Sequence, residues 1–194
     1  MERSTKQRGM LVVTAVAAVA AASVMVVQMS SAAFTDSVSS ADNSWQTGSV
    51  TLTQNGDGSA MFSVTDMVPD DSEERCIAVT YEGSVDADVR LYSDWGPTGS
   101  TDLAGDLDLL VEHGTGAGGF PDCNGFTSAG TVYDGDLSDF ATIDGFVGGQ
   151  DDWGPAGGSV EERAYRFTVT LDSASTQEDQ SVSEYEFVWE ARNQ

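Results

Sequence analysis

The sequence predicts an all-β domain, a two-sheet sandwich behind an N-terminal apolar leader. Three observations predict it. Beyond residue 33, apolar residues recur at every second position, the period of strands with one buried face. No apolar pattern of 3.6-residue period is sustained there. Strand-like and helix-like segments do not alternate, which excludes the βαβ plan and leaves about eight to ten strands for two packed antiparallel sheets.

The elements follow in chain order. Residues 1–9 carry Arg3, Lys6 and Arg8 against Glu2, and residues 10–27 are an uncharged Ala- and Val-rich run. Its length suits either a membrane span or a long signal-peptide core. Ser31 and Ala33 supply the small-x-small pattern that a signal peptidase reads, and the chain after them is acidic rather than basic. Residues 1–33 are therefore read as a signal peptide cleaved between Ala33 and Phe34, with a retained anchor as the alternative. Residues 34–47 are polar, punctuated by Phe34, Val38 and Trp45. Residues 48–194 form the sandwich.

Within the sandwich the clearest strand is ERAYRFTVTLDS, with Tyr165, Phe167, Val169 and Leu171 on one face. SVSEYEFVWEAR repeats the device with Tyr185, Phe187, Trp189 and Ala191. Earlier strands are GSVTLTQ, GSAMFSV, ERCIAVTYEG and DADVRLYSDW, while DLDLLVEHG and GTVYDGDLSDF read as shorter ones. QNGDGS, with its Asn-Gly and Asp-Gly pairs, predicts a hairpin turn, and TDLAGDL a single helical turn. Residues 96–158 hold 16 of the 21 glycines, so the long irregular insertions are expected there.

Charge excludes several functions. Residues 34–194 carry five arginines, no lysine and 31 carboxylates, a net charge of −26. Nucleic acid is excluded as a partner, since binding it requires cations to neutralise phosphates. An anionic membrane surface is disfavoured for the same reason. Cys76 and Cys123, an even count in an exported chain, predict a disulfide, with two buried thiols as the alternative. Catalytic motifs are absent: His113 is the sole histidine, and a zinc protease needs two or three ligands and a carboxylate base. No nucleophile elbow or phosphate loop occurs. Calcium is the one cofactor left open. Hard-oxygen loops suit it, and the candidate ligands are Asp134, Asp136, Asp139, Asp151 and Asp152. Chance clusters are nevertheless expected in so acidic a chain, and none of these fits an EF-hand loop.

Several motifs together resemble the TasA/camelysin (CalY) family of exported proteins. They are Ala32, Ala33, Phe34 and Asp36, then Trp45, Gly48, Val50 and Leu52, then Pro69-Asp70-Asp71, and the closing Phe187, Trp189, Glu190 and Ala191. The likeness covers both ends and the first third of the chain. Where that family has Pro-Gly-Asp, Asp70 replaces the glycine. The resemblance implies a jelly-roll-like sandwich, processing by a SipW-type signal peptidase, and assembly into extracellular fibres of a biofilm matrix. It further implies that residues 34–47 act as a donor strand for the next copy or a paralogous subunit, anchored by Phe34, Val38 and Trp45. Strand addition is physically suited to such a segment: backbone hydrogen bonds give affinity and alternate side chains give register. A monomeric surface binding module using the Gly-rich loops is the runner-up, and a camelysin-type metallo-endopeptidase a distant third.

Overall fold

A computed structural model describes residues 48–194. The signal peptide, the cleavage site at Ala33–Phe34, and the donor segment with Phe34, Val38 and Trp45 lie outside the described residues. Eight strands and two short helices follow in order: β1 (Leu52–Gln54), β2 (Ser72–Glu82), β3 (Ala87–Gly99), α1 (Thr101–Gly105), β4 (Leu107–Thr115), β5 (Thr127–Asp136), α2 (Leu137–Phe140), β6 (Gln150–Trp153), β7 (Val160–Leu171) and β8 (Val182–Asn193). They form two antiparallel sheets, β1-β2-β7-β4-β5 and β6-β3-β8. This is the all-β sandwich that the period-two pattern predicts.

The order β1-β2-β7-β4 over β3-β8 is that of strands A-B-E-D over C-F in an immunoglobulin-type sandwich. Both this plan and the jelly roll are Greek-key sandwiches. β5 and β6 are inserted between the fourth and fifth strands of the plan, within the glycine-rich region.

The predicted alternation sets the inner faces. Ile77, Val79 and Tyr81 of β2, Leu107, Leu109 and Val111 of β4, and Tyr165, Phe167 and Leu171 of β7 are buried against Val89 and Leu91 of β3 and Trp153 of β6. Aromatic rings join the sheets. Phe167 lies 4.5 Å from Phe187 and 5.9 Å from Trp189, and Tyr165 lies 5.3 Å from Trp189. Such pairs add about 0.5–1.5 kcal/mol each beyond their area burial.

GSAMFSV departs from expectation. The turn after β1 forms, with Asp57 and Gly58 at positive φ, but no strand follows it. β1 pairs instead with β2, Leu52 opposite Tyr81. Met61 and Phe62 still pack on the core from an irregular segment, so their apolar character reports burial without strand pairing.

The outer face of the larger sheet is covered by the β4–β5 connection. Cys76, fully buried, is bonded to Cys123, and the Cys76 amide donates to the Pro121 carbonyl at 3.0 Å. Arg166 lies 4.9 Å from the Phe126 ring centre and pairs with Glu112 and Glu74. Gly114 is required here, since a Cβ would stand 2.0 Å from the Thr127 carbonyl oxygen.

Candidate functional site: the outer edge of β8

A sandwich has sheet edges, and edges pair with other chains unless they are blunted. Among the described residues β1 and β5 end one sheet, β6 and β8 the other. Three of these edges are poor templates. β1 has three residues and β6 four. β5 is longer, but its register against β4 shifts twice, between Val111 and Glu112 and between His113 and Gly114. Such bulges twist an edge away from a flat template.

β8 differs. It runs for 12 residues, and its register with β3 is unbroken from Ala87–Asn193 to Trp95–Tyr185. From Glu186 to Asn193 no described strand pairs with its other side. In the immunoglobulin plan this is the place of strand G, which pairs with F. In an antiparallel strand alternate residues turn both N–H and C=O outward, so about four residues of this stretch present hydrogen-bonding groups to that side.

The side chains at this edge match. Phe187, Trp189 and Ala191 point to the core yet are only partly buried. β1 is the neighbour of β8 across the sandwich, and its flanking Val50 and Leu52 are partly buried too. Among the described residues this edge thus carries partly buried apolar groups on both sheets. Outward, Glu190 accepts from Arg192 at 2.7 Å and from the Tyr92 hydroxyl at 3.0 Å. The Arg192 hydrogen bond holds the Glu190 carboxyl below its usual range, against the effect of burial.

The opposite side of the sandwich is closed by a polar clamp. Asp151, at φ 70° and with a side chain only 5 % exposed, accepts from Arg163 at 2.7 Å and from the Tyr165 hydroxyl at 2.7 Å. Arg163 also stacks over Trp153, and Arg90 reaches the Asp151 carbonyl and the Asp152 carboxylate. Burial, then the Asp151 charge, pushes the Tyr165 phenol far above its ordinary range. The clamp ties β6 to β7 and β3, so that side offers no comparable edge.

Two of the calcium candidates, Asp151 and Asp152, are thus engaged by arginines. Asp134 and Asp136 lie on β5, with Asp136 opposite Asp108 of β4, and Asp139 lies on α2. Burial, then repulsion from Asp136, Asp172 and Asp134, raises the Asp108 carboxyl. No three Asp, Glu, His or Cys side chains among the described residues gather closely enough to hold a metal ion. His113 faces Gly130 across the β4–β5 pair.

Each of the five arginines among the described residues is in an ion pair: Arg75–Glu73, Arg90–Asp152, Arg163–Asp151, Arg166 with Glu74 and Glu112, and Arg192–Glu190. The cations are spent internally, and the remaining surface charge is carboxylate. The β8 edge itself was not singled out by the sequence. Its inward aromatics are legible there, but whether a strand's outer side is paired leaves no signal in its own sequence. No family model matches this chain, and no curated protein matches it.

Proposed function

We propose that the mature chain is a secreted structural subunit that polymerises into extracellular fibres or thin pili of a biofilm matrix, as the TasA/camelysin likeness implies. Residues 34–47, freed by a SipW-type peptidase, add as a strand to the β8 edge of a second copy or of a paralogous subunit. The observation that carries this reading is the contrast among edges: β8 keeps an unbroken register from Glu186 to Asn193, beyond a single shift at Glu184, while β1 and β6 are short and β5 is bulged twice. The contact is head-to-tail and propagates rather than closes. The charge supports a condition on it. A net charge of −26 on residues 34–194 makes copies repel, so assembly quickens as salt screens them.

The test is electron microscopy and light scattering of residues 34–194 against residues 48–194 over a range of salt. The longer form is expected to make fibres and the shorter to stay a soluble sandwich. Equal fibre formation by both would reject strand addition. Failure of both to assemble at any salt would favour the monomeric binding module.

A further inference from the structure

The described residues fix where the N-terminal segment joins the sandwich. The Ser49 carbonyl accepts from the Ser84 amide at 2.9 Å, and the Ser49 amide donates to the Ser84 hydroxyl at 2.8 Å. Ser84 lies in the β2–β3 turn. β8 finishes at this same turn: Asn193 is opposite Ala87, and the Gln194 amide donates to the Asp86 carbonyl. The first described residues, Gly48 and Ser49, therefore lie at the end where β8 finishes, and the N-terminal segment is attached there.

Resting on the strand-addition reading, we infer that the incoming segment runs antiparallel to β8, as strand G runs to F, with Phe34 beside the end of β8 and Ala41 beside Glu186. In an open head-to-tail array all bodies keep one polarity along the array axis. The next body then sits beyond the end from which the segment leaves. The segment must enter that body at the opposite end, where β8 begins, and its free N-terminus finishes where β8 finishes. Chain direction along the acceptor is thus opposite to that of β8. Antiparallel pairing is also the stronger ladder.

Length fits. Fourteen extended residues reach about 46 Å, and the eight residues Glu186–Asn193 need about 26 Å. About six residues, 42–47, remain to bridge two bodies. The period of two then divides the apolar residues. Phe34 and Val38 share a face and come opposite Asn193 and Trp189, with Asp36 and Ser40 on the same face opposite Ala191 and Phe187. Trp45 has the opposite parity and falls in the bridge, so it belongs to the joint between bodies and not to the strand's inner face.

The experiment is cross-linking of assembled fibres with a short bis-maleimide. One preparation carries Thr35→Cys and Arg192→Cys, a second Thr35→Cys and Glu186→Cys, and a third Ala41→Cys and Glu186→Cys. All four positions lie on the same outward face in the inferred register, and Glu186 and Arg192 stand about 20 Å apart. The native disulfide leaves no other thiol to react. Antiparallel insertion gives multimer ladders in the first and third preparations and not in the second. A ladder in the second preparation alone would overturn the polarity while leaving strand addition standing. Fibres without ladders in any preparation would overturn both the polarity and the β8 acceptor.

Discussion

Replacing the disulfide, as Cys76→Ala with Cys123→Ser, tests how the outer face of the larger sheet is held. The bond links positions 47 residues apart, and closing a loop of that length in the unfolded chain corresponds to about 4 kcal/mol in the chain-entropy treatment. Alanine is chosen at position 76 because the side chain is fully buried and a serine would bury an unpaired hydroxyl there. For a domain of this size each kcal/mol moves Tm by about 2–4 °C, so a fall of about 8–16 °C is expected. The damage should begin locally. The 116–126 segment is otherwise held by the Pro121 carbonyl, by Phe126 under Arg166 and by Phe120 against the core, and limited proteolysis should cut there first. Calorimetry with and without reductant gives the magnitude, and non-reducing peptide mapping gives the connectivity. A Tm within about 2 °C of the parent, or free thiols at Cys76 and Cys123, would refute the reasoning.

The remaining predictions concern charge. Asp151→Asn keeps a residue that tolerates positive φ but strips the counter-charge from Arg163, so thermal unfolding should show a loss of about 1.5–3 kcal/mol. Asp108→Asn should stabilise at neutral pH. The folded carboxyl titrates above its ordinary value, so ionising it opposes folding; the gain should vanish below about pH 4, where the unfolded carboxyl is protonated too. Glu112→Gln should do the reverse. Burial raises that carboxyl, but hydrogen bonds from Arg166 and Ser128 and the Arg166 charge lower it further, so its contribution exists above about pH 4.3 and fades as pH falls through the lowered folded value. Urea titrations across pH 3–8 read both signs.

Much of the fold was legible because burial here has a strict period of two. ERAYRFTVTLDS and ERCIAVTYEG appear as β7 and β2, with Tyr165, Phe167, Ile77, Val79 and Tyr81 inward as their alternation requires. Alternation failed for GSAMFSV, where Phe62 packs on the core beside Arg75, 5.9 Å from its ring centre, without a paired strand. Strand order was not legible, because pairing of β2 with β7 or β3 with β8 joins residues 78 to 106 positions apart and leaves no local mark. The same holds for Asp151. In sequence it is one carboxylate in an acidic chain, and only the fold brings Arg163 and Tyr165 to it. The candidate edge was half legible: the inward aromatics of β8 could be read, but their incomplete cover could not.

The central claim is that the β8 edge receives residues 34–47. Hydrogen exchange on a sandwich of residues 48–194, with and without a synthetic peptide spanning 34–47, tests it most directly. The account predicts that alternate amides between Glu186 and Asn193 slow by tenfold or more at saturating peptide, with the β1, β5 and β6 edges unchanged. Protection confined to one of those other edges, or no protection anywhere at peptide concentrations in the millimolar range, would contradict it.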